Sequence, residues 1–176
     1  MVASMDSQFE EVKKVFKSGD ISNTIGSLDE ILTGLSKDSD QTKYIQFLEE
    51  ILATCREKQL KEEEALVLRT LGRIHSIFNQ HIESLNYHRE SLKLQRKLGR
   101  KSDIAMGLVM LGEDLEIAGQ YDESLEAFKN AYDIFYELGK RRRTKEIQKE
   151  IARLEEFSRE MEQDEFYLKK FNLPRD

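Results

Sequence analysis

The sequence predicts an all-α chain, a stacked array of about three helical hairpins. Three observations carry this. The first is the stretch LGEDLEIAGQYDESLEAFKNAYDIFYELG, Leu111 to Gly139. Apolar residues recur every three or four positions through Leu108, Leu111, Leu115 and Ala118, and again through Leu125, Phe128, Ala131, Tyr132 and Phe135. That is the period of an amphipathic helix. Only Gly119-Gln120-Tyr121 separates the two runs, so the helices must fold back on each other as a hairpin. The second observation is recurrence. Leu71-Gly72 lies forty positions before Leu111-Gly112, and Leu98-Gly99 forty before Leu138-Gly139. A fixed period of this size marks a stacked repeat array. Third, the only proline is Pro174, so nothing but glycine breaks helices in the body of the chain.

Taken in order, Ser7-Gln8-Phe9-Glu10 has the form of a capping box and predicts a helix over 7–19 carrying Phe9, Val12, Val15 and Phe16. Gly19-Asp20 ends it. Residues 25–58 read as a degenerate repeat. Leu28, Ile31, Leu32 and Leu35 stand forty positions before Leu68, Leu71, Gly72 and His75, and Ile45, Leu48, Ile51 and Leu52 precede Leu85, His88, Ser91 and Leu92. The polar stretch from Ser36 to Asp40 is the break. The second repeat spans 65–98, its first helix opening early at Lys61-Glu62-Glu63-Glu64, where acids suit a helix N-terminus. Asn79-Gln80-His81 is its break. The third repeat spans 105–138. A capping helix and tail occupy 143–170, with Ile147, Ile151, Leu154, Phe157 and Met161 on one face and charge on the other, as the end of an array requires.

The 176 residues suit one domain, with 39% hydrophobic and 35% charged residues. A net charge of -6 argues against general nucleic-acid binding. Cys55 is the single cysteine, so no internal disulfide forms, which fits a reducing compartment or indifference to redox. The N-terminal stretch lacks the apolar core of a signal peptide, and no run is long enough to span a bilayer. The expected location is cytoplasmic.

The second and third repeats resemble the tetratricopeptide repeat. Leu108, Leu111, Gly112, Leu115, Gly119, Tyr121, Phe128 and Ala131 fill that pattern, with Ser124 where a small Ala usually stands. Leu68, Leu71, Gly72, His75 and Ser84 begin it again, with departures at Asn79 and His81. A mid-helix glycine costs about 1 kcal/mol relative to Ala, which Gly72 and Gly112 justify if another helix passes too close for a side chain. The forty-residue period and the Leu-Gly-basic endings look like the repeats of kinesin light chains and Pins-type adaptors. The resemblance implies a right-handed α-solenoid of about three such hairpins, and for function a non-enzymatic scaffold that binds another polypeptide.

In the family, first helices line a concave groove. Carried over by register, the groove faces are Asp29, Thr33 and Ser36; Leu66, Arg69, Arg73 and Ser76; Met106, Val109, Met110, Glu113 and Glu116; and Lys149 and Arg153 from the cap. Arg69 and Arg73, one turn apart, can present two guanidinium groups to one ligand face. Beside the apolar Met106 and Val109 they point to a peptide with an apolar anchor and acidic neighbours. The competing reading pairs them with Glu113 and Glu116. The Lys and Asn of the chaperone-tail clamp found in some relatives are absent. His75, His81 and His88 make a poor metal site without further ligands, so no metal or cofactor is expected. Lys140 to Lys145 reads as cations at a helix C-terminus rather than a localisation signal. No catalytic constellation is present: there is no Gly-rich phosphate loop, and Cys55 has no His nearby in sequence. Two alternatives stand beside the peptide-binding adaptor. One is a homo-oligomeric assembly module using the repeat ends or the apolar tail from Phe166 to Pro174. The other is an RNA- or regulator-binding repeat using Arg69, Arg73 and the basic run.

Overall fold

The computed structural model describes residues 5–36 and 39–171; for residues 164–169 and 171 it describes the backbone only. Among the described residues the chain forms eight helices and no strand, so the all-α class is as the sequence predicts. They divide between two compact units, Met1–Arg100 and Lys101–Asp176.

Unit 1 contains α1 (Met5–Lys17), α2 (Ile21–Leu32), α3 (Thr42–Glu57), α4 (Lys61–Ile77) and α5 (His81–Leu98). α1 packs on α2, α3 on α4, and α4 on α5, with α2 also touching α4. α1 already runs through Ser7, so Ser7 lies inside the helix and is not the capping residue that its spacing to Glu10 implies. Phe9 is the anchor of this helix. Its ring lies 4.7 Å from that of Tyr44 and 5.5 Å, edge-on, from that of Phe47. α2 starts at Ile21, four residues before the expected repeat boundary, because Asp20 caps it: its carboxylate accepts the Asn23 N–H at 3.1 Å. Of the break predicted after α2, Lys37 and Asp38 lie outside the described residues. α4 begins at Lys61, as its acidic first turn predicts.

Unit 2 contains α6 (Lys101–Ile117), α7 (Tyr121–Glu137) and α8 (Arg141–Phe171). α6 packs on α7 and α7 on α8. Its core holds Leu108, Leu115, Phe128, Ala131, Phe135, Ile147 and Leu154. Leu111 is only half-buried, whereas its counterpart Leu71 is fully buried, so the two Leu-Gly pairs do not contribute equally. Ala118, expected on the apolar face, is exposed. α8 runs for 31 residues, and Leu154 is the last buried residue among its described side chains: Phe157 is half-buried and Met161 is 54% exposed, correcting the expectation that Met161 covers the last repeat.

The hairpins are TPR-like, and two repeated contacts show why their residues are what they are. The His88 ring lies over Gly72 and the Phe128 ring over Gly112, so the mid-helix glycines admit a ring from the second helix, not its backbone. Ser84 and Ser124 each donate to the carbonyl of that same glycine at 2.7 Å, which accounts for serine where the family favours Ala. In the first repeat the register places buried Leu32 and Leu48 at the glycine and ring positions, trading one large-and-small pair for two mid-sized residues.

The forty-residue period is itself two half-periods. Gln59, Asn79, Gly99, Gly119 and Gly139 all have positive φ, at intervals of twenty residues. After each, the next N–H returns to the carbonyl five residues back: Leu60 to Cys55, Gln80 to His75, Arg100 to Gln95, Gln120 to Leu115 and Lys140 to Phe135. This is the left-handed helix C-cap, normally a glycine. Gln59 and Asn79 adopt it without being glycine, so the sequence does not mark the cap at either, even where it marks the break itself, at Asn79-Gln80-His81.

Candidate functional site

In unit 1, Arg69, Arg73 and Ser76 lie half-buried along one face of α4. Asp29 of α2 faces them. Its Oδ1 accepts from Thr70 Oγ1 at 3.1 Å and lies 3.4 Å from the Arg73 guanidinium. The sequence-predicted Asp29 and Arg73 therefore come together, as partners of each other. Thr33 and Ser36 do not join them. Thr33 sits at the C-cap of α2 with its hydroxyl on the Glu30 carbonyl, and Ser36 lies beyond the helix against Ser39, because α2 ends at Leu32.

In unit 2, Met106, Val109 and Met110 are half-buried on α6, Glu113 is exposed, and Lys149 and Arg153 are exposed on α8. A hollow of about 400 Å³ opens between α6 and α8. Val109, Ile117 and Ile147 supply its apolar surface, and Glu113, Glu116 and Arg153 are among its charged walls. Met106, Met110 and Lys149 do not line it. The Arg153 guanidinium bonds both Glu116 oxygens at 2.7 Å and also Glu150 at 3.0 Å. The Glu116 bond, then the Glu150 bond, holds the Arg153 pKa above its usual value. Of the predicted pairing of Arg69 and Arg73 with Glu113 and Glu116, Glu116 is thus engaged by Arg153. Arg is the residue suited to such a fork, and fixing it shapes one wall of the hollow.

The other candidates have structural explanations. His75 stacks on Tyr87, centroids 5.2 Å apart, and its Nδ1 lies 2.5 Å from Gln80 Oε1, while His88 covers Gly72. Among the described residues no group of three or more His, Cys, Asp or Glu is placed to hold a metal. Of the basic run only Lys140 stands at a helix C-terminus, its N–H closing the end of α7 on the Phe135 carbonyl. Arg141, Arg142 and Arg143 form the first turn of α8, the end where cations are unfavourable, and Arg142 and Arg143 are held by Glu146 at 2.9 and 3.1 Å. Cys55 is fully buried, and burial, with Glu63 and Glu64 nearby, pushes its thiol up to about 11, which removes it as a nucleophile. The side chains from Phe166 to Leu168 and residues Asn172 to Pro174, the apolar tail read from the sequence, lie outside the described residues. No helix among the described residues is long and apolar enough to cross a membrane.

Sequence reasoning missed Ile117, 60% exposed at the end of α6, and Ile147 on α8. Ile117 continues the Met106, Val109, Met110 series at helical spacing, so the signal was present.

No family model matches the sequence, and no curated protein matches it. Among solved structures, the chain is similar to a crystal structure of the TPR-like repeats of a kinesin light chain from Podosopora anserina. The identity is 12%, the match covers 89% of this chain and 96% of that one, and the TM-score is 0.47. The TPR-like character of the hairpins stands on their own packing, on the ring over glycine and the serine on its carbonyl in both repeats.

Proposed function

We propose that this chain is a non-enzymatic cytoplasmic adaptor that holds a segment of another protein on the first-helix faces of its hairpins. The observation that carries the reading is the hollow between α6 and α8, where Val109 and Ile117 present apolar surface within charged walls. An exposed apolar residue in a concave site fits an anchor side chain of a partner. Arg153, already fixed by two carboxylates, lends shape without needing a ligand to order it. Acidic residues in the partner meet Arg73 of unit 1 only by displacing Asp29 from it. Arg69, Ser76, Met106, Met110 and Lys149 extend the binding faces of the units to which they belong.

The experiment compares proteins captured from a lysate by the wild-type chain and by Ile117→Asp. Ile117 is exposed, so the substitution leaves the core intact, and matched circular dichroism confirms equal helicity. A partner captured by wild type and lost by the variant supports the reading. A partner retained at equal yield by Ile117→Asp and by Val109→Asp refutes binding in this hollow.

A further inference from the structure

Unit 2 has a second hollow, which the proposed function does not use. It also measures about 400 Å³ and opens beside the turn between α6 and α7, against the second half of α8. Its floor is aromatic: the rings of Tyr121 and Phe157 have centroids 4.8 Å apart and planes tilted by 56°. Met161 extends this apolar surface into solvent. The rim has a single sign. Asp122, Glu123 and Glu162 line the hollow, and among the described residues no Lys or Arg does. Asp122 and Glu162 are exposed and have no ion-pair partner among the described residues.

The surroundings reinforce the excess. Residues 101–176 hold thirteen Lys and Arg against eighteen Asp and Glu, so this part of the chain carries most of the net charge of -6. Lys101, Lys129, Arg142, Arg143 and Arg153 are each bound to glutamates elsewhere in the unit. Arg159, the nearest cation along α8, directs its Nε to the Glu155 carbonyl. Asp122 and Glu123 also serve the N-terminus of α7, where acids are favourable. That role accounts for neither Glu162 nor the solvent-facing apolar floor.

We propose that this hollow docks a segment of another protein in which a Lys or Arg stands beside an aliphatic residue. The basic head meets Asp122 and Glu162, its methylene stem lies along the Tyr121 and Phe157 rings, and the aliphatic neighbour covers Met161. An acidic segment is repelled by the rim, and a purely apolar one leaves the carboxylates unmatched. The site needs none of the residues of the α6–α8 hollow except through the shared fold, so the two readings fail independently.

The test pans the immobilised full chain with a random-peptide phage library and measures synthetic versions of the enriched peptides by fluorescence anisotropy across a salt series. The proposal expects enrichment of Lys or Arg next to Leu, Ile or Met, and affinity that falls as salt rises. Asp122→Asn with Glu162→Gln, both at exposed positions, weakens binding roughly tenfold and flattens the salt dependence. Met161→Ala weakens it a few-fold, and Val109→Asp leaves it unchanged. Enrichment that contains no class of peptide with Lys or Arg beside an aliphatic residue, or the absence of enrichment, would overturn the proposal. So would binding unaffected by the double substitution. Binding lost with Val109→Asp and kept with the double substitution overturns it while leaving the proposed function standing. A mass doubling of the chain alone that the double substitution abolishes assigns the occupant to a second copy, and overturns it also.

Discussion

Gly72→Ala isolates the packing on which the hairpins depend. A methyl group at Gly72 falls 2.5, 2.6 and 2.8 Å from Cε1, Nδ1 and Nε2 of His88. That ring is 2% exposed and has no solvent to move into. With every contact under 3 Å the overpacking costs about 2–3 kcal/mol, against about 1 kcal/mol gained in helix propensity, so the net loss is roughly 1–2 kcal/mol. At Gly112 the same methyl lies 3.1–3.2 Å from the Phe128 ring, a clash that a few tenths of an ångström relieves. There the two effects nearly cancel, and Gly112→Ala changes stability by less than about 1 kcal/mol. Urea unfolding followed by circular dichroism measures both. Repeating Gly72→Ala in a His88→Ala background removes the ring, and the substitution then stabilises by about the propensity gain. A stabilising Gly72→Ala in the native background, or a loss that persists without the ring, refutes the assigned packing.

Three further outcomes follow from particular side chains. Gln59→Gly stabilises by about 1 kcal/mol because it relieves a left-handed backbone at φ 56, and Asn79→Gly gains less since Asn tolerates that region; thermal melts rank the two. Gln95 is 1% exposed with neither end of its amide hydrogen-bonded among the described residues, so Gln95→Met raises the unfolding free energy by about 1–3 kcal/mol in urea titrations. Burial raises the Glu64 carboxyl, but the bonds from Lys61 at 2.7 Å and Arg56 at 3.1 Å outweigh it and leave the pKa below its usual 4.5. The native state thus holds fewer protons than the unfolded chain, and this stabilisation is complete above pH 4.5 and lost as pH falls through the depressed value. Glu64→Gln accordingly costs about 1.5–3 kcal/mol near neutral pH and much less in strong acid, as parallel denaturant titrations at the two pH values report.

Helical spacing and the forty-residue recurrence made the hairpins legible, since apolar periodicity is the signal that burial leaves in sequence. Gly72 and Gly112 announced a close approach, although not that His88 and Phe128 supply it. The twenty-residue half-period stayed hidden because Gln59 and Asn79 carry no glycine, and a cap of this kind is recognised from sequence mainly by that residue. Charge pairing was the least legible. Asp29 with Arg73, and Glu116 with Arg153, join residues far apart in the chain, and only the packing of α2 on α4, and of α7 between α6 and α8, brings them to bonding distance. The basic run misled for a related reason. Its residues belong to the start of α8, and Gly139 rather than the arginines marks where α7 has ended.

Hydrogen exchange, read by mass spectrometry with and without the captured partner, tests the proposed function most directly. If the chain holds a polypeptide on its first-helix faces, protection on binding concentrates in the α6 segment around Val109 to Ile117 and the α8 segment around Ile147 to Arg153, and Ile117→Asp abolishes it. Protection confined to the outer face of α7 around Tyr132 and Tyr136, with those α6 and α8 segments unchanged, contradicts it.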